Sequence, residues 1–214
     1  TIETFFAQTP ELSKHYRVVL PERRGHGRTA DVDGPITYGV MAADTIGFME
    51  ALGLENTHVA GYSDGGIVAL LVAMRRPDLV RRLVAISANF DCDGLTPEGR
   101  ESLASAAADT FAPFLADAYK QVSPDGPDHW PVVFQKLQRM MLTEPKIAPA
   151  ELDTIKAPTL ILAADHDLMT VEHTLALFRA IPGAQLCIVP GTTHLLAIEK
   201  PAAVNAAILD FLRG

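Results

Sequence analysis

Apolar residues along this chain fall into two kinds of pattern, and the two alternate. Near-continuous apolar runs of four to six residues predict strands covered on both faces: Thr57-His58-Val59-Ala60-Gly61, Arg82-Leu83-Val84-Ala85-Ile86-Ser87, Thr159-Leu160-Ile161-Leu162-Ala163-Ala164 and Leu186-Cys187-Ile188-Val189, the last ended by Pro190. A fifth β-rich run, Tyr16-Arg17-Val18-Val19-Leu20, stops at Pro21. Between them lie stretches with helical spacing. Residues 3–15 predict a helix with Phe5, Phe6 and Leu12 on its apolar side, disturbed at Pro10. Thr37 to Leu52 predicts an amphipathic helix turning Val40, Met41, Ile46, Met49 and Leu52 inward and closed by Gly53. Ile67 to Met74, Val171 to Ile181 and Pro201 to Arg213 complete the series. Strands alternating with helices predict an α/β fold with a mostly parallel, doubly wound sheet. Chemistry in such sheets sits at the carboxyl ends of the strands.

Residues 91–156 break the alternation. Thr96 and Pro97 are N-cap and first helical residue, and several helical stretches follow, interrupted near Pro113, Pro124 and Pro145. The expected organisation is a core from 1–90 and 157–214 with a helical cap insertion at 91–156. Phe111, Phe114, Tyr119, Trp130, Phe134, Met140 and Met141 are expected to pack the insertion's own core, and the insertion to lid the site.

Composition narrows the class. With 214 residues, 48% hydrophobic and 21% charged, the chain has the balance of a globular domain with a large core. A net charge of −8 and no basic stripe argue against a nucleic-acid partner. No apolar run is long enough to span a bilayer, and no signal peptide is visible. The chain does not begin with Met, which leaves a removed or preceding segment open. Cys92 and Cys187 are the only cysteines, and reduced thiols in a cytoplasm are expected.

The chemistry gathers around Gly61-Tyr62-Ser63-Asp64-Gly65-Gly66, where a strand turns straight into a helix. G-x-S-x-G in that setting predicts a nucleophile elbow, with Ser63 at a strained corner and Gly61 and Gly65 flanking it for want of room. The helix start offers free N–H groups to a developing oxyanion. The bare motif arises by chance in roughly 5–10% of chains of this length, so its partners decide the matter. A serine hydroxyl needs a base. Of seven histidines, His194 follows a strand and precedes the last helix, the best position for that base. His26 also follows a strand, but a packing or loop role suits it better. The base needs a carboxylate, and Asp165 and Asp167 both stand just after the preceding strand. Asp165-His166-Asp167 read as a metal fragment lacks further spaced ligands. Gly25-x-Gly27 lacks the rest of a dinucleotide motif.

These motifs together resemble the α/β-hydrolase superfamily over the whole chain: Arg24-Gly25-His26-Gly27-Arg28-Thr29, the elbow, Pro158-Thr159-Leu160-Ile161-Leu162 with Asp165-His166-Asp167, and Gly191-Thr192-Thr193-His194 with Glu199-Lys200-Pro201. The resemblance implies a Ser63–Asp167–His194 triad, since the family pattern places the acid on the second aspartate. Asp165 is then expected to shape the turn. It implies a serine hydrolase acting on a small carboxylic ester, lactone or activated acyl compound, with the Asp64 backbone N–H in the oxyanion hole and no metal or cofactor. A cofactor-free haloperoxidase or perhydrolase with the same triad, and a non-catalytic ligand-binding relative, are the alternatives. Ser63-Asp64-Gly65-Gly66-Ile67 with Ala88-Asn89 further resembles the valacyclovir hydrolase (biphenyl hydrolase-like) branch. That implies an Asp64 carboxylate contacting a cationic substrate, against the reading that Asp64 only caps its helix. The family's usual N-terminal strands, and the loop giving a second oxyanion N–H, have no counterpart in these residues. A segment could precede the chain, strands 16–20 and 57–61 could pair directly, or another chain could fill the gap.

Overall fold

The computed structural model describes residues 1–214. Four strands, β1 (Thr57–Tyr62), β2 (Val80–Ile86), β3 (Thr159–His166) and β4 (Gln185–Thr193), form one parallel sheet in the order β1-β2-β3-β4. The longer helices are α1 (Tyr38–Ala51), α2 (Asp64–Arg75), α3 (Pro97–Ser105), α4 (Pro113–Val122), α5 (Trp130–Thr143), α6 (Val171–Ala180) and α7 (Pro201–Arg213).

The sheet is buried on both faces, which explains why its strands read as unbroken apolar runs. Side chains alternate between two cores. Leu83, Ala85 and Ile161 join the core built with α1, α2 and α6. Val84, Ile86, Leu160 and Leu162 join the core built with α7. The most buried helix is α2, with every residue from Gly66 to Ala73 inside. Burying a leucine such as Leu70 contributes about 1.5–3 kcal/mol.

Several boundaries depart from expectation for identifiable reasons. Tyr16–Leu20 forms no strand. A strand is defined by its ladder, and this run has no sheet neighbour. β1 is the edge strand, and the Tyr16 ring meets His58 edge-on at 5.5 Å without backbone pairing. The helix expected over 3–15 is two short pieces, Ile2–Phe5 and Thr9–Leu12, the second with Pro10 in its first turn. β4 runs through Pro190 to Thr193, because proline is tolerated at a sheet edge, and β4 is the other edge. In α1, Met41 and Met49 are buried as expected and Thr37 caps the helix, its Oγ1 accepting from Val40 N–H at 3.1 Å. Leu52 instead lies exposed past the helix end.

α3, α4 and α5 all fall between β2 and β3. Tyr119, Trp130 and Phe134 form a small core there, with Phe111 packed against it and Trp130 Nε1 donating to Ala108 O at 2.7 Å. Met140 leaves that cluster for the main core, and Phe114 is exposed. Asp31 ties this segment to the loop after Arg28. Its Oδ2 accepts from Lys136 Nζ at 2.7 Å and lies 2.9 Å from His129 Nε2. No helix is long and apolar enough to cross a membrane.

Candidate active site

Three strand ends bring the candidate residues together. Ser63 follows β1, Asp167 follows β3 and His194 follows β4. Ser63 adopts φ 54°, ψ −121°, a conformation non-glycine residues hold only when their surroundings impose it. Here β1 passes into α2 with no loop. Ser63 N–H donates to Ile86 O on the neighbouring strand at 2.8 Å, and Gly66 N–H returns to Ser63 O at 2.8 Å. The flanking glycines divide unexpectedly. A Cβ on Gly61 would lie 2.0 Å from Gly65 O, and one on Gly66 would lie 2.7 Å from Ala88 Cβ. A Cβ on Gly65 would meet nothing within 4 Å, so steric need falls on Gly61 and Gly66, not on Gly65.

Ser63 Oγ lies 2.9 Å from His194 Nε2, and His194 Nδ1 lies 2.7 Å from Asp167 Oδ1. An ionised carboxylate only accepts, so Nδ1 carries the proton and Nε2 is left to accept from the serine. The Asp167 side chain is 1% exposed. Burial alone would raise its pKa. His194, the Ser87 hydroxyl and the Ala164 N–H together outweigh that and hold it below the usual carboxylate value. Asp167 Oδ2 accepts from Ser87 Oγ at 2.5 Å, and Leu168 N–H donates to Oδ1 at 2.7 Å. Ser87, like Ser63, has a positive φ (47°) immediately after a strand. Tyr62 grips His194 from the other side. Its hydroxyl donates to His194 O, and its ring stacks on the imidazole at 5.5 Å.

The two carboxylates that sequence left open are thereby separated. Asp165 accepts from Gly191 N–H at 2.7 Å and Thr192 N–H at 3.0 Å, so it braces the turn carrying His194 without touching the imidazole. With Asp165 on that turn and Asp167 on His194, the Asp-His-Asp run does not converge as a metal site. Asp91, Cys92 and Asp93 have potential ligand atoms within 4.8 Å of one another, but Asp93 is paired with Arg100 at 2.5 Å. His26 lies in the loop after Tyr16–Leu20, with Nδ1 2.8 Å from Arg24 O. His173 stacks on Phe90 and accepts from its N–H at 3.2 Å.

On the opposite side of Ser63, Asp64 is the first residue of α2, so its N–H has no intrahelical acceptor. Its carboxylate turns inward, where Oδ1 accepts from Tyr38 Oη at 2.6 Å. The Arg23 guanidinium faces Asp64 and Tyr38. Burial pushes its pKa down against their opposing pull, and its Nη1 is buried without a hydrogen-bond partner. Sequence reasoning missed Tyr38, Tyr62, Ser87 and Arg23. Ser87 shared one signal with the residues it found, a polar side chain directly after an apolar strand.

Residues 3–207 match the model of the alpha/beta hydrolase family. The chain therefore belongs to that family, and its curated relatives are hydrolases. It is 30% identical to the "Putative carbamate hydrolase RutD" of Agrobacterium fabrum, across 96% of this chain and 86% of the relative. It is 31% identical to the 2-hydroxy-6-oxo-2,4-heptadienoate hydrolase of Pseudomonas putida, across 95% and 80% respectively. Among solved structures, a thermophilic esterase from Thermogutta terrifontis superposes with a TM-score of 0.72 at 27% identity, covering 99% of this chain and 85% of that one.

Proposed function

We propose that the protein is a serine hydrolase that cleaves a small carboxylic ester through an acyl-enzyme on Ser63. The observation that carries this is the continuous hydrogen-bonded chain from Ser63 Oγ through His194 to Asp167, anchored on a strained strand-to-helix corner. In this reading His194 Nε2 takes the hydroxyl proton as Ser63 Oγ attacks the carbonyl carbon. Asp167 holds the imidazole in the right tautomer and balances its transient positive charge. The tetrahedral oxyanion meets the Asp64 N–H at the positive end of α2. Collapse expels the alcohol, which receives the proton from His194. Water, deprotonated by His194, then attacks the acyl-enzyme, and His194 passes that proton to Ser63 Oγ as the acid leaves. The helices between β2 and β3 serve as the cap that bounds substrate size.

A carbamate presents the same carbonyl to the same groups. The likeness to a relative named for carbamate hydrolysis makes it the second substrate class to test. Turnover of p-nitrophenyl acetate and of a p-nitrophenyl carbamate, by the protein and by Ser63→Ala, tests the assignment. Ser63→Ala should lower turnover by about 10⁴-fold or more while keeping the thermal midpoint. Unchanged turnover in the variant would remove Ser63 from the mechanism.

A further inference from the structure

The carboxylate of Asp64 does something that a residue in the first turn of a helix does not usually do. Aspartate there ordinarily caps its own helix or faces solvent. Here it reaches across to another helix. Tyr38, the first residue of α1 and only 2% exposed, donates its hydroxyl to Asp64 Oδ1 at 2.6 Å. Tyr38 is itself fixed from behind, its N–H donating to Glu144 Oε2 at 3.1 Å. Arg23 supplies the positive charge that faces the pair.

Asp64 is also the residue whose backbone N–H points out of the start of α2, next to Ser63. Side chain and N–H share one Cα, so fixing the carboxylate restricts how the first turn of α2 can rotate. We propose that Tyr38 is a positioning residue for acyl transfer: by holding the Asp64 carboxylate it aims the Asp64 N–H at the oxyanion. The inference rests on the serine-hydrolase reading above. It assigns the Asp64 carboxylate to an internal contact rather than to a substrate cation.

Burial, and then the Asp64 carboxylate, raise the Tyr38 pKa well above its ordinary value, so the phenol remains a neutral donor across the working pH range. The hydrogen bond is therefore a fixed part of the site rather than a titrating one. Misaiming an oxyanion donor affects the transition state more than the bound ester, because charge on the carbonyl oxygen develops only during attack.

The test compares the protein with Tyr38→Phe, Asp64→Ala and the double variant. Readouts are kcat and KM on p-nitrophenyl acetate and on an alanine p-nitrophenyl ester, the labelling rate by a fluorophosphonate, and the thermal midpoint. Tyr38→Phe should lower kcat about 10-fold or more on both esters, with fluorophosphonate labelling slowed in step. KM should stay within about twofold, as expected when only a transition-state interaction is lost. Asp64→Ala keeps the N–H but removes both the acceptor and the negative charge facing Arg23, so it should lose at least that factor, and the double variant should be no slower than Asp64→Ala alone. Wild-type kcat in Tyr38→Phe, losses that multiply in the double variant, or a loss confined to the alanine ester would each overturn the proposal. The last result would mean that the Asp64 charge contacts substrate. A drop in thermal midpoint with unchanged kcat would give the hydrogen bond a purely structural role. A wild-type protein that the fluorophosphonate does not label at Ser63 would instead defeat the underlying serine-hydrolase reading.

Discussion

The two sides of Ser63 are built differently. On the side of β3 and β4, the polar groups around the imidazole are already committed. His194 has Ser63 and Asp167 on its two nitrogens, Asp167 has Ser87, Ala164 and Leu168 on its oxygens, and Asp165 holds the turn that carries His194. On the side of α1 and the loop at Arg23, groups are held but left with capacity to spare. The Asp64 N–H has no intrahelical acceptor, and Arg23 Nη1 is buried without a partner. In the serine-hydrolase reading, the difference follows from when charge appears. The base and its carboxylate must be aligned before reaction, so their hydrogen bonds are satisfied in the resting protein. An oxyanion donor is useful only if nothing occupies it until the substrate's charge develops.

Apart from losing Ser63 itself, the largest expected effect breaks the committed side at its acid. Asp167→Asn replaces an acceptor with an amide that can donate to Nδ1, which favours the wrong tautomer. Its kcat on p-nitrophenyl acetate should fall by about 10⁴-fold, whereas Asp165→Asn should stay within about 10-fold of the parent. Equal losses would erase the separation between the two carboxylates. Ser87→Ala leaves Asp167 Oδ2 with one weaker donor. It should lower kcat by about 10-fold and shift the acid limb of the pH–rate profile; an unchanged profile would reduce Ser87 to a packing role.

The smallest effect lies on the other side, at His26. Burial, and next the Arg23 charge, lower its pKa to about 4. The unfolded chain takes up that proton near pH 6.5, while the folded one resists until about pH 4. The unfolded state thus binds more protons within this window, and stability should decline as pH falls through it. Thermal midpoints measured from pH 7 to 4 should show that decline in the parent and a flatter curve in His26→Gln. Parallel curves would mean that His26 is not held neutral.

The same contrast explains what the sequence made legible. Ser63, Asp167 and His194 each stand directly after an apolar run, and a parallel sheet brings such positions to one edge, so their meeting could be read from order alone. Choosing Asp167 over Asp165 required the family resemblance, because two carboxylates two residues apart look alike until the turn is built. Tyr16–Leu20 misled for a related reason. Its composition suits a strand, but a strand also needs a neighbour, and none pairs with it. Gly65 looked like a steric necessity because it belongs to the motif, yet the contacts assign that necessity to Gly61 and Gly66. The Tyr38–Asp64 contact was invisible, since it joins the starts of two helices 26 positions apart and no periodicity marks either partner.

In the proposed reaction Ser63, poised by His194, is the nucleophile. Incubating the protein with a fluorophosphonate and mapping the adduct by peptide mass spectrometry tests it most directly. One stoichiometric adduct is expected on Ser63, lost in Ser63→Ala and strongly slowed in Asp167→Asn. A protein that stays unlabelled, or is labelled at another residue while ester turnover persists, would contradict it.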